Sequence, residues 1–157
     1  MTDSVQAAKR KSSPGIDLDV LPDLLGYHIR LAQIAVFRDF AAAFGDFEIT
    51  PTLYASLLLI GANPGLKQTD LAQAVQLDRS TVVSVIDNLE GRELVERNRA
   101  ADDRRSNALS LTRKGKALLA RLKPLVEAHE RRLVRNLTPD EAADLKRLLN
   151  KIFPEYR

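Results

Sequence analysis

Arg79, Ser80, Thr81, Ser84 and Asn88 fall on one short stretch of the chain. Their side chains are compact or forked hydrogen-bonding groups. The chemistry open to such a set is hydrogen bonding to base edges and phosphates in a DNA groove. A second set follows, with Arg97, Arg99, Arg104 and Arg105 around Asp102 and Asp103. Guanidinium groups of this kind suit a minor groove, where the negative potential is strong. A carboxylate facing phosphate would be repelled, so Asp102 or Asp103 is expected to pair with a neighbouring arginine and hold its guanidinium in place.

These residues need rigid elements beneath them. Val82, Val85, Ile86 and Leu89 recur at i, i+3, i+4 and i+7, which lines one face of a helix and leaves the opposite face free for Arg79, Ser80, Val83, Ser84 and Asp87. Asp78 is a suitable N-cap, and Leu77 with Val82 makes a hydrophobic staple that fixes the entry angle. Residues Leu66 to Thr112 then read as a winged helix-turn-helix. A short helix spans Lys67 to Val75, a turn follows at Gln76-Leu77, the second helix starts after Asp78, and strands at 94–97 and 108–111 flank an Arg-rich loop at 98–107.

The remainder reads as helix. Leu21 to Phe44 is apolar around most of its circumference, and Thr50-Pro51 caps a helix from Thr52 to Gly61. Thr112 caps a long helix to about Asn136 with the stripe Leu118, Leu122, Leu125, Val126, His129 and Leu133. Thr138-Pro139-Asp140-Glu141 is a capping box opening a last helix, whose stripe is Ala142, Leu145, Leu148, Leu149, Ile152 and Phe153. The expected fold is mainly α with a small β-wing: a disordered tail over 1–16, a winged helix-turn-helix over 47–112, and helical dimerisation regions over 17–46 and 113–157. The terminal stripes exceed what a winged helix needs for its own core. A homodimer is therefore expected, against the alternative of a monomer whose end helices fold back. A twofold dimer would read a pseudo-palindromic site on double-stranded DNA.

Composition narrows the function classes. The 157 residues contain no cysteine, which excludes disulfides, thiolate metal sites and thiol redox sensing. Met1 to Ser13 has no apolar signal core and no stretch approaches the roughly 18 apolar residues that span a membrane, so a cytoplasmic protein without membrane contact is expected. From Arg79 to Lys123 there are 11 Lys or Arg against 6 Asp or Glu, an excess of five in a chain whose net charge is +3. Positive charge is thus concentrated on the proposed DNA-facing half. For Arg113, Lys114, Lys116, Arg121 and Lys123 a solvated charged face is the equal alternative. His28 and His129 have no third or fourth ligand at metal spacing, so they read as hydrogen-bonded, partly buried histidines; no metal and no cofactor is expected. The chain has no phosphate loop and no nucleophile elbow, so an enzyme is not expected.

The segment 66–72, Leu-Lys-Gln-Thr-Asp-Leu-Ala, the stretch 78–90, and the run Asp102-Asp103-Arg104-Arg105-Ser106 leading to Leu111-Thr112-Arg113-Lys114-Gly115 closely resemble the MarR family of bacterial transcription regulators. The resemblance spans about Leu21 to Phe153 and is most specific at Asp103-x-Arg105 and the Leu-Thr-x-x-Gly that follows. It implies a dimer joined through its N- and C-terminal helices, repressing a nearby operon and released by a small ligand. By position, Arg105 would reach the minor groove with Asp103 orienting it. Gln68, Thr69, Arg79, Ser80, Thr81, Ser84 and Asn88 would lie at or beside the major groove, and Arg97, Arg99 and Arg104 along the wing. Residues 25–33, continuing to Phe37-Arg38-Asp39-Phe40, are similar to the branch that controls hydroxycinnamate and other aromatic-acid breakdown, whose effector is an aryl-CoA thioester such as p-coumaroyl-CoA. Tyr27, Phe37, Phe40 and Tyr54 could line an aromatic slot, Arg30 and Arg38 could meet anionic phosphates, and His28 could bond a phenol or carboxylate. Core packing and surface ion pairs are the plain alternatives for these side chains. A free aromatic acid as effector, or an architectural DNA-binding protein without a ligand, are the alternative functions.

Overall fold

Among the described residues the elements run α1 (Leu25–Phe44), α2 (Pro51–Ala62), β1 (Leu66–Lys67), α3 (Gln68–Ala74), α4 (Arg79–Gly91), β2 (Val95–Arg99), β3 (Asn107–Leu111), α5 (Arg113–Leu133) and α6 (Pro139–Ile152). The computed structural model describes residues 15–99 and 107–152, without the side chains of Arg99 and Asn107. Most of the expected tail, the wing tip with Asp102 to Ser106, and Phe153 lie outside them. The fold class is the expected one, mainly helical with a small antiparallel sheet. The chain divides at Ala35/Val36 into two compact units.

In the first unit, the helix expected from Leu21 begins only at Leu25. Leu21–Asp23 forms a 3-10 turn with Pro22 in its first positions, and Leu24 is extended, which interrupts the helical ladder. His28 lies just inside α1, exposed rather than partly buried, with Nε2 2.7 Å from the Pro22 carbonyl oxygen. The bond closes the turn onto the helix.

In the second unit, the core is built where the periodicities cross. Leu57 and Ile60 of α2, Leu71 of α3, Val82, Ile86 and Leu89 of α4, Leu94, Val95 and Leu109 around the sheet, and Leu122 of α5 are all buried, with Phe40 and Phe44 from the end of α1. Each fully buried aliphatic side chain contributes about 1.5–3 kcal/mol relative to exposure, so this cluster dominates the stability of the winged segment. Strand β3 is central, pairing with β1 (Leu66↔Leu109) and with β2 (Val95↔Leu111 through Arg99↔Asn107). Strand β1 is too short, at two residues, to show an alternation in sequence, and Lys67, expected in the helix, belongs to it.

Both helices of the helix-turn-helix end in the same way. Leu77 N–H donates to the Ala72 carbonyl and Gln76 N–H to Gln73, while Leu94 N–H donates to Leu89 and Glu93 N–H to Glu90. These are Schellman closures with Gln76 and Glu93 in the left-handed region, φ 54° and 59°, where glycine is the usual occupant. The break after α4 comes two residues beyond Gly91.

The next corner explains the Leu-Thr-x-x-Gly motif. Leu111 is buried, and Thr112 caps α5 by accepting from Gly115 N–H at 3.0 Å while its hydroxyl donates to the Glu93 carbonyl at 2.6 Å. Gly115 packs so closely that a Cβ would stand 2.0 Å from the Leu94 carbonyl oxygen. Further along α5, His129 is buried with Nδ1 2.6 Å from an Asp39 carboxylate oxygen, and Arg132 Nε and Nη2 donate to the same carboxylate at 3.0 and 2.8 Å. Hydrogen bonds from Arg132, and then from His129, hold Asp39 down at a pKa of about 2. The histidine ring meets Phe40 edge-on. On α6 the capping box closes reciprocally between Thr138 and Glu141, and Leu145, Leu148, Leu149 and Ile152 are exposed.

Candidate nucleic-acid interface

The start of α4 is organised around Asp78. Its carboxylate accepts from Thr81 N–H at 2.9 Å, from Thr81 Oγ1 at 2.6 Å and from Ser80 Oγ, and these bonds press its pKa well below the usual carboxylate range, the Ser80 hydroxyl first among them. Ser84 Oγ donates to the Ser80 carbonyl at 3.2 Å. The hydroxyl protons of Ser80, Thr81 and Ser84 are therefore used within the helix, and what these side chains offer outward is lone pairs. In this arrangement they are acceptors, matched to the amino groups of cytosine or adenine in a major groove. Arg79 and Asn88 are exposed on the same helix. Among the described residues Arg79 has no carboxylate within ion-pair distance. At the start of α3, Gln68 is half-buried, while Thr69 is exposed and donates to Asp70 at 3.2 Å.

Arg97 departs from the picture of a freely reaching wing arginine. Its guanidinium bonds Asp87 at 2.5 Å and also Glu90, both on α4, and its side chain is only 20% exposed. The charge is matched by two carboxylates, so Arg97 fastens the hairpin to the recognition helix and thereby sets where the wing starts. Asp87, placed on the free face by periodicity, is likewise engaged. Asn98 Nδ2 donates to Glu96 at 3.3 Å. Arg99 lies in β2 by its backbone, and Asp103, Arg104 and Arg105 lie outside the described residues.

The ligand-pocket candidates divide between the two units. In the first, Tyr27 is half-buried with its ring edge-on to His28 at 5.8 Å, and Arg30 Nη1 donates to Gln33 at 3.1 Å. In the second, Phe37 and Arg38 are exposed, so core packing does not account for Phe37. Tyr54 is half-buried beside Phe44, and burial, with the Glu127 charge, raises its pKa. Sequence reasoning gave Asp78 as the cap but missed its bonds to the Ser80 and Thr81 hydroxyls, the Arg97 clamp and the Asp39–His129 contact. Only the first carried a local signal, an N-cap followed by two hydroxyls.

The profile of the MarR family matches residues 49–106, which holds α2 to the wing. A putative transcriptional regulatory protein for the hcr operon of Thauera aromatica is 38% identical over 130 residues, covering 82% of this chain and 78% of that one. The chain belongs to the MarR family. Two solved structures of a transcriptional repressor, CouR, are similar to this MarR-family chain. One, bound to a 23-mer DNA duplex, is 42% identical with a TM-score of 0.82, covering 87% of this chain and 97% of that one. The other, bound to p-coumaroyl-CoA, is 39% identical with a TM-score of 0.81, covering 87% and 96%. A mutant MarR from E. coli complexed with operator DNA is 26% identical with a TM-score of 0.80, covering 88% and 100%. Among the described residues no helix is long and apolar enough to cross a membrane.

Proposed function

We propose that this MarR-type repressor acts as a homodimer on a pseudo-palindromic operator and is released by an aryl-CoA thioester such as p-coumaroyl-CoA, so controlling an aromatic-acid degradation operon. The carrying observation is the likeness to CouR over 87% of the chain at about 40% identity, in a DNA-bound and a p-coumaroyl-CoA-bound structure alike. The hcr-operon relative supports the same reading.

In this reading α4 enters the major groove with Arg79, Ser80, Thr81, Ser84 and Asn88 toward it, Gln68 and Thr69 of α3 stand beside the backbone, and Arg99, Arg104 and Arg105 follow the wing into the minor groove with Asp103 orienting Arg105. The exposed leucines of α6 pair with a second copy. Tyr27, His28, Phe37 and Tyr54 receive the aryl group, and Arg30 and Arg38 the phosphates of CoA.

Fluorescence anisotropy on DNA from the gene's upstream region, at fixed salt, tests it. Tight binding released by p-coumaroyl-CoA but not by free p-coumaric acid is expected. Tight binding indifferent to the thioester overturns the effector. Binding without preference among sequences, with a steep salt slope, overturns the operator.

A further inference from the structure

Side-chain caps open α2, α4, α5 and α6, and the one on α4 differs in kind. Thr50 accepts from Leu53 N–H at 3.2 Å, Thr112 from Gly115 N–H at 3.0 Å and Thr138 from Glu141 N–H at 3.2 Å. A single hydroxyl oxygen is enough to cap a helix. Helix α4 uses the Asp78 carboxylate instead, and only half of it caps. Oδ1 accepts from Thr81 N–H at 2.9 Å and also from Ser80 Oγ, whereas Oδ2 accepts from Thr81 Oγ1 at 2.6 Å and makes no capping bond.

An ionised carboxylate can only accept, so the direction of both side-chain bonds is fixed: Ser80 and Thr81 donate, and their protons face Asp78. A backbone carbonyl is likewise an acceptor only, so Ser84 Oγ, 3.2 Å from the Ser80 carbonyl oxygen, donates inward as well. All three side chains are exposed. In the major groove adenine and cytosine present an amino group where guanine and thymine present a carbonyl oxygen. A hydroxyl with a free proton fits either group. One whose proton is already used fits the amino group alone, and it has nothing to donate to a phosphate.

We propose, resting on the reading of α4 as the helix that enters the major groove, that Asp78 is a positioning residue for operator specificity: by holding the Thr81 proton inward it makes Thr81 select an amino-bearing base over a carbonyl-bearing one. Asp78 touches no base and acts through Thr81. In Asp78→Asn the Thr81 N–H still requires an acceptor, so the amide oxygen takes the place of Oδ1 and keeps Ser80 too. The amide nitrogen takes the place of Oδ2 and donates to Thr81 Oγ1, which turns the Thr81 proton outward. Ser80 and Ser84 keep their directions and serve as internal references. Asparagine caps a helix as well as aspartate does, so the start of α4 survives the change.

The test is operator binding by the full-length protein, followed by fluorescence anisotropy at fixed salt, on a panel in which each base pair in turn is exchanged by transition. Exchanging A·T for G·C swaps an amino for a carbonyl group at one place in the groove. One transition per half-site should weaken the wild type about fivefold, the net worth of a hydrogen bond, and lose that penalty in Thr81→Val. Asp78→Asn should remove the same penalty and leave the rest of the profile in place, beyond a uniform gain from the lost negative charge. Adding Asp78→Asn to Thr81→Val should change no single position further. A cap with a purely structural role would move every position alike. A uniform shift in Asp78→Asn, a position-specific change that persists in the double variant, or a Thr81→Val profile equal to wild type would each overturn the proposal while leaving the operator reading intact. A wild type that binds every sequence equally would overturn that reading, and the proposal with it.

Discussion

The winged segment and the α6 helix are built from equally regular apolar periodicities, yet they end in opposite states. Val82, Ile86 and Leu89 of α4 are buried completely or nearly so, while Leu145, Leu148 and Leu149 of α6 stay 45–50% exposed. The difference is one of partners within the chain. Helix α4 packs against α2, α3 and β2, whereas among the described residues no comparable layer covers the stripe of α6. Exposed apolar area of this kind marks an association surface, so the winged segment carries its own core and α6 carries half of one.

The largest test of that contrast is to charge the uncovered stripe. Leu148→Glu with Leu149→Glu should give a monomer in analytical ultracentrifugation and weaken operator binding about a thousandfold, the loss of a linked second half-site, with helix content nearly unchanged. A dimer of undiminished affinity would mean that α6 is covered in another way.

On the winged side, Gly115→Ala places a Cβ 2.0 Å from the Leu94 carbonyl oxygen, a clash with backbone and not with a movable side chain. It should cost about 3 kcal/mol or more in urea unfolding. A cost below 1 kcal/mol would show that the corner between β3 and α5 is loose, contrary to a self-contained core.

Arg97→Gln sharpens the comparison within the winged segment, because it frees the hairpin from α4 without opening the core. Operator affinity should fall about tenfold with base preference unchanged, since the residue positions the wing rather than touching a base. A changed preference at a single base position would instead make Arg97 a reading residue.

The smallest effect is a pH dependence at the Asp39–His129–Arg132 cluster. The folded pKa of Asp39, about 2, lies below its ordinary value of 3.8, so the cluster stabilises the protein above about pH 4, and that contribution is lost as pH falls through about 2. Unfolding followed from pH 5 to pH 2 should show Asp39→Asn flatter than wild type. Parallel profiles would assign the acid sensitivity to other carboxylates.

Much of the recognition helix was legible in the sequence, because its information is local. The Asp78 cap, the Thr112 cap, the Thr138–Glu141 box and the 3.6-residue periodicities involve groups within a few residues of one another, and each formed as its pattern required. The Leu-Thr-x-x-Gly signature was visible as a motif, but its reason was not, since Leu94 lies far from Gly115 in sequence and only the fold brings its carbonyl there.

What the sequence determined by itself was the order of helices, their caps and which face of each is apolar, all set by short-range hydrogen bonding and period. Tertiary structure decided the pairing of β1 with β3, the clamping of Arg97 by Asp87 and Glu90, the burial of His129 against Asp39, and the exposure of Phe37 and the α6 leucines. These depend on contacts between distant segments. A side chain's type fixes what it can bond, whereas packing fixes which partner it meets.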